Sequence, residues 1–364
     1  MTRCTSARWN VCLDARTPMT QSRADKKRLQ MADIARLAGV SVSTVSRALN
    51  GSTLVNDETR DRIGQLARSL NYSINLSAQN LRLQKNQTVA VVVPYDAQSR
   101  QHISDPFFLA IVGSLADALT DRGYDMLLSR VDAEALDSAA ALYDSGKAIG
   151  VIIIGQWRHH DQLNSLAARK VPVVVWGGQL PQQLYCSVGG DNLAGGLQAT
   201  QHLLQAGRRR IVFLGDARLP EVQLRQQGYR QALHTSGLKH EPQLELPVPF
   251  EIIAAREAMD RFCASGVKFD GVVACSDLLA LQAVQAVRAA GLDVPRDVGV
   301  VGYDDMPLAT YSDPPLTTVH QPVALAGTEL VDALLTLLRG EPAAPRMLPV
   351  HLVVRASAPS PTAS

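Results

Sequence analysis

The chain has 364 residues, 46% hydrophobic and 5% aromatic, with a formal net charge of +2. That length suggests two or more domains, the composition supplies large cores of soluble α/β type, and no run of about 18 apolar residues offers a membrane span. Cys4, Cys12, Cys186, Cys263 and Cys275 are odd in number and lack CxxC spacing, which argues against a disulfide frame and a zinc site, so neither metal nor cofactor is expected.

Residues 1–27 carry no sustained periodicity and read as a disordered tail or a mis-started segment. They are basic but lack the apolar core of a secretory signal, so a cytoplasmic protein is expected. Three short helices follow in a domain spanning 28–75. "MADIARLA" (31–38) puts Ile34, Leu37 and Ala38 on one side. Gly39 breaks it, and Ser41 caps "VSTVSRALN" (42–50). "NDETRDRIGQLARSLN" opens on acidic residues suited to a helix start and carries Ile63, Leu66, Ala67 and Leu70 at helical spacing. Within this unit Ala35 permits close helix approach, Gly39 makes a tight turn and Val45 packs one helix on the other. That spacing predicts a helix-turn-helix whose second helix enters a DNA major groove.

The composition of that second helix agrees. Its buried side needs Val45 and Leu49. The other side carries short hydroxyls, Ser41, Ser43, Thr44 and Ser46, which bond phosphate or base without blocking approach. Val42 and Ser43 stand at the helix start, Arg47 suits guanine or phosphate, and Asn50 completes the face. Residues 22–88 hold 11 Lys/Arg against 5 Asp/Glu, whereas 89–364 hold 22 against 28. A basic front on an acidic body is expected when only the front meets a polyanion.

A polar linker with a very short helix, "SAQNLR" (77–82), occupies 76–88. From Val89 apolar strands alternate with helices. The strands are "VAVVV", "DMLLSRV", "IGVIII", "VPVVVW", "RIVFL", "DGVVA", "VGVVG" and "LPVHLVV". The helices include 107–122, 192–206, 222–236 and 277–290. This is a parallel sheet texture covered on both faces. It fits two doubly wound lobes or an eight-stranded β/α barrel.

"MADIARLAGVSVSTVSRALNG", "LNYSINLSAQNLR", "DPFF", "GGDNLAGG", "VVGYDD" and "PPLTTVHQP" closely resemble the lactose-repressor/purine-repressor family of bacterial transcription factors, from about Leu29 to Ser357. The resemblance implies an N-terminal all-α helix-turn-helix domain plus two doubly wound α/β lobes of periplasmic-binding-protein type. The effector domain is then 89–364, with an N-lobe of about 89–188 and 320–347 and a C-lobe of about 189–319 and 348–357. It further implies a homodimer on a pseudo-palindromic operator and a hinge helix at 77–82. Asn75 just before it and Ala78 and Leu81 within it meet DNA, and Leu81 wedges into the minor groove. Ile74 stands where many relatives carry Pro.

Open α/β lobes bind ligand at the carboxyl ends of their strands. Asp105, Phe107, Asp191, Arg225, Ser276 and Asp304 fall near such ends and are the effector-site candidates. The resemblance places Arg225, Asp191 and Asp304 at hydroxyl- or carboxylate-bonding positions, and Ser276 where sugar-binding relatives carry Asn. Trp176 and Phe250 are further candidates for stacking on a pyranose. Asp277 reads as a helix cap, Asp305 as a turn residue, and Phe108 and Leu109 as core. "RHH" (158–160) reads as an exposed loop and "RRR" (208–210) as a solvated turn. Carboxylates with one Arg suit a sugar or glycoside, so the expected function is a sugar-controlled repressor and not an enzyme. The alternatives are a β/α carbohydrate hydrolase using Asp216 and Asp304, and a non-secreted sugar-binding protein. The C-terminal "RASAPSPTAS" has no heptad repeat for a tetramer-forming coiled coil.

Overall fold

A computed structural model describes residues 31–49, 52, 54–70, 86–96 and 102–360. The chain divides into two compact units, 1–85 and 86–364. The 1–27 tail, Asn50, Asn75, Ala78, Leu81 and the expected hinge helix lie outside the described residues.

In the first unit, α1 (Met31–Ala38), α2 (Val42–Leu49) and α3 (Asp57–Ser69) close around Ile34, Ala35, Val45, Ala48, Val55 and Ile63. Gly39 ends α1 at φ +66°, the left-handed region that glycine enters freely, while the Val40 amide returns to the Ala35 carbonyl at 3.0 Å. Asn56 caps α3 through the Thr59 amide. Two sequence expectations fail here. Leu37 is 53% exposed, and Ala48 takes the fully buried place expected of Leu49, which is half-buried. Eight-residue helices bury only a narrow stripe, so one position of phase decides which residue is inside.

The second unit runs β1 (Thr88–Tyr95), α4 (Pro106–Asp121), β2 (Asp125–Asp132), α5 (Ala140–Asp144), β3 (Gly150–Ile154), α6 (His160–Ala168), β4 (Val173–Trp176), β5 (Cys186–Gly190), α7 (Asn192–Gln205), β6 (Ile211–Leu214) and α8 (Pro220–Thr235). It continues with β7 (Glu245–Leu246), α9 (Ile252–Ala264), β8 (Gly271–Ala274), α10 (Asp277–Ala289), β9 (Gly299–Asp304), α11 (Pro307–Tyr311), β10 (Thr317–His320), α12 (Val323–Leu338), β11 (Arg346–Leu348) and β12 (His351–Val353). One sheet has the order β11-β5-β4-β3-β1-β2 and the other β12-β10-β9-β8-β6-β7. All pairs are parallel except β10 with β12. Two separate open sheets exclude the barrel.

Strand periodicity explains the unbroken apolar runs. Val89, Val91 and Val93 of β1 pack under α4 and α12, while Ala90 and Val92 face the opposite core with Leu136, Leu163 and Leu166. The stretch "LPVHLVV" is not one strand. Leu348 ends β11 in one sheet and His351 opens β12 in the other, so the chain changes lobe across Pro349, which has no amide for a ladder. No described helix is long and apolar enough to cross a membrane.

Candidate functional site

The first unit presents the N-terminus of α2. Ser41 Oγ accepts the Thr44 amide at 3.1 Å and lies 2.8 Å from both Ser43 Oγ and Thr44 Oγ1. Val42, Ser43 and Arg47 are exposed, while Val45 is fully buried. The first turn of α2 holds no acidic residue. Its amides and positive dipole end, with Arg47 one turn on, form a surface for a polyanion.

The second unit holds a partly open cleft to which both lobes supply walls, the concave setting in which small molecules are commonly bound. Asp105, Phe107, Trp157 and Trp176 come from one lobe. Leu219, Glu221, Arg225, Phe250, Ser276 and Asp304 come from the other, and Gln321 from the strand end beside it. Phe107 and Trp176 are neighbours, ring centroids 6.2 Å apart.

Arg225 projects from the second turn of α8 and is 7% exposed. Its Nε donates to Asn192 Oδ1 at 2.8 Å and its Nη1 to the Cys275 carbonyl at 2.5 Å, while its guanidinium lies over the Tyr303 ring. Asp304 ends β9 with φ +109°, and Asp305 follows at +56°. Non-glycine residues there store strain of about 1–3 kcal/mol, which turns the Asp304 carboxyl to the cavity wall. Gln321 Nε2 donates to Asp304 Oδ1 at 2.7 Å.

Burial pushes the Asp304 carboxyl well above the ordinary carboxylate range. Arg225 pulls it back, and the charges of Asp277 and Asp105 push it further up. Burial also raises Glu221, against bonds from backbone amides that include Gln156, and raises Asp105, against the Phe107 amide. Asp277 is pushed up to about 7, chiefly by burial, although Thr318 Oγ1 and the Met306 amide donate to it at 2.5 and 2.8 Å.

The cavity thus brings together Asp105, Phe107, Arg225, Ser276 and Asp304, with Trp176 and Phe250. It does not include Asp191, which caps α7 through the Ala194 amide at 2.9 Å and lines a neighbouring depression with Gly189, Gly190 and Arg346. Asp277 does not cap α10. Ser276 does, and Asp277 instead ties β10 to the start of α11. Asp305 is more than a turn residue, since it pairs with Arg355 at 2.6 Å and His320 at 2.9 Å. Phe108 is buried, but Leu109 is 55% exposed. The "RRR" stretch is a partly exposed turn before β6, as expected, but both basic stretches are tied down by hydrogen bonds. His159 and His160 bond Glu134 and Tyr185 at the start of α6, and Arg208 donates to the carbonyls of residues 295–297. Among the described residues no group could hold a metal ion.

Sequence reading missed Trp157, Glu221 and Gln321. Glu221 had one signal, its position four residues before Arg225, which sets both on one face of α8. It reaches across the cleft to accept the Gln156 amide at 3.1 Å.

Comparison with known proteins agrees with both units. Residues 30–75 match bacterial regulatory proteins of the lacI family, and residues 200–358 match a periplasmic binding protein-like domain. The HTH-type transcriptional regulator CelR of Thermobifida fusca is 34% identical over 91% of this chain and 99% of its own length. The ribose operon repressor of Haemophilus influenzae is 29% identical over 85% and 92%. Among solved structures, the lac repressor dimer bound to operator and the anti-inducer ONPF superposes with a TM-score of 0.81 at 26% identity, covering 92% of this chain and all of that one. The CelR–cellobiose complex does so with 0.67 at 33%, covering 91% and all of that one. These relatives are regulators, not enzymes, and the hydrolase and transport readings fall with them. The chain belongs to the lacI family of bacterial regulatory proteins, DNA-binding transcriptional regulators with a helix-turn-helix domain and a two-lobed ligand-binding domain.

Proposed function

We propose that this regulator is a cytoplasmic, nucleoid-associated homodimeric repressor of carbohydrate-utilisation genes, released from or seated on its operator by a sugar or glycoside bound between the lobes. The observation that carries the ligand reading is the pairing of Arg225, Asp304 and Gln321 with the Phe107–Trp176 wall in one cavity. Sugar edges need acceptors and donors together, and a pyranose face stacks on aromatic rings. The structures of CelR with cellobiose and of the lac repressor dimer on operator support the same ligand class and assembly.

In this reading Ser41, Val42, Ser43, Thr44, Ser46, Arg47 and Asn50 face the major groove. The segment at Asn75, Ala78 and Leu81 folds only when clamped in the minor groove beside its partner, because six residues make no stable helix alone. Ligand in the cleft biases the lobe arrangement and thereby the pairing of the hinges. The coupling is reciprocal and on the order of 1–3 kcal/mol.

A gel shift of the full-length protein on the upstream region of its own gene, against a panel of sugars and purines, tests this. A saccharide that changes operator affinity supports the reading. A panel in which only purines act overturns the ligand class, and a protein with no salt-sensitive preference for any native DNA overturns the rest.

A further inference from the structure

We propose that the cavity selects an uncharged saccharide and rejects the phosphorylated or carboxylated form of the same sugar. This rests on the saccharide reading above and adds the charge of the ligand. Three carboxyl groups, Asp105, Glu221 and Asp304, line the cavity against one guanidinium, Arg225, and among the described residues no Lys, His or second Arg lines it. That guanidinium is already committed to Asn192, to the Cys275 carbonyl and to the Tyr303 ring.

Among the described residues the helix starts are poor anion seats as well. Helix N-termini are where proteins commonly hold phosphate, and α4, α8 and α10 all begin at this cavity. Each is already served. Asp105 caps α4 through the Phe107 amide, and Ser276 caps α10 through the Leu279 amide. Helix α8 starts at Pro220, which has no amide, and carries Glu221 in its first turn. A phosphate placed here would bring a desolvated anion beside three carboxyl groups that burial already disfavours as anions, with no uncommitted cation among the described residues to pair it. Hydroxyl groups meet no such penalty, because each can donate to a carboxylate.

The charge preference also places the regulator in a reaction sequence. The signal is the sugar before phosphoryl transfer. A glycoside-cleaving or non-phosphorylating uptake step supplies it, and a phosphoryl transfer to the sugar ends it.

Calorimetry and operator gel shifts on the full-length protein, with matched pairs, test the proposal. The pairs are glucose and glucose 6-phosphate, cellobiose and cellobiose 6-phosphate, and ribose and ribose 5-phosphate. In every pair whose neutral member binds, the phosphorylated member should bind at least about 100-fold more weakly, since a buried charge without a partner is strongly disfavoured. An Asp105→Asn/Glu221→Gln variant, checked for a native thermal transition, should narrow that gap to about tenfold as two acidic groups give way to neutral amides that donate. A phosphorylated sugar that binds as well as its parent overturns the proposal and leaves the saccharide reading standing. So does a gap unchanged in the double variant, which would make the exclusion steric. A panel in which no saccharide binds removes both.

Discussion

The guanidinium carbon of Arg225 lies 3.7 Å from the centroid of the Tyr303 ring, so the one cation among the described lining residues is held against an aromatic face. The ring, not the hydroxyl, does the holding, since Tyr303 Oη is buried with no hydrogen-bond partner among the described residues. Tyr303→Phe should therefore leave effector affinity unchanged and hold or raise stability, because an unsatisfied hydroxyl costs about 1–3 kcal/mol. Tyr303→Leu should lose about 0.5–2 kcal/mol of effector binding with the cation–π contact. Calorimetry on both variants checks the split. Equal losses would assign the hydroxyl a partner and the ring no role.

Arg225 depends equally on a glycine. A Cβ on Gly196 would collide with the Arg225 carbonyl, and one on Gly228 with the Leu193 carbonyl, so α7 and α8 cross in backbone contact. Gly196→Ala should push the helices apart, destabilise the protein by about 1–3 kcal/mol and weaken effector binding by moving Arg225. Operator affinity of the effector-free protein should change little. Denaturant unfolding and calorimetry together check this. A stable variant with normal effector affinity would show that the crossing can relax.

Asp277 makes stability pH-dependent. Its carboxyl titrates near 3.8 unfolded and at about 7 folded, so the folded state binds the proton more tightly. Between these values the unfolded chain releases a proton that the native one keeps. Stability thus falls as pH rises from about 4 to about 7 and is flat above. Asp304, raised in the same direction, adds to the trend. Asp277→Asn should flatten the change in Tm between pH 5 and pH 7.5. The amide oxygen can still accept from Met306, and the Thr318 hydroxyl can turn to accept from the amide nitrogen. A slope as steep as in the parent protein would place the titration elsewhere.

On the DNA side, Arg47 is exposed on α2 one turn beyond Ser43. Arg47→Ala should weaken operator binding by about 1–3 kcal/mol. A base contact relaxes sequence preference at one position. A phosphate contact instead weakens all sequences alike and lowers the salt slope by about one. Binding titrations at two salt concentrations on operator and scrambled DNA separate the two.

What the sequence disclosed follows from where its periodicity is strong. The β1 and β3 runs are apolar on both faces and long enough to read as buried parallel strands, and the α1–α2 turn has its glycine where a left-handed residue is required. Strand β10, "TTVH", was invisible, because two threonines give no apolar signal and are buried through bonds to Asp277, Arg355 and Ala358. The site was half legible for a similar reason. Asp304 sits at the end of a clear strand and Arg225 in the second turn of a clear helix. Glu221, Trp157 and Gln321 lie near local features that read as ordinary caps and turns, and only the meeting of two lobes makes them neighbours.

Leu81 carries the proposed coupling between the two units. A short hinge that folds only on DNA exchanges its ordering entropy for contacts made in the minor groove, and a wedged Leu adds a kink by unstacking a base step at a cost of a few kcal/mol. Leu81→Ala keeps helix propensity, since Ala is the best helix former, but removes the wedge. It should therefore abolish DNA bending and reduce binding to the specific operator by about 5- to 150-fold, the usual span of a lost specific contact. Non-specific, salt-driven binding and effector affinity should stay near those of the parent. Circular-permutation gel shifts report the bend and calorimetry the effector. Unchanged bending in Leu81→Ala would mean that the effector controls the operator by some route other than this wedge.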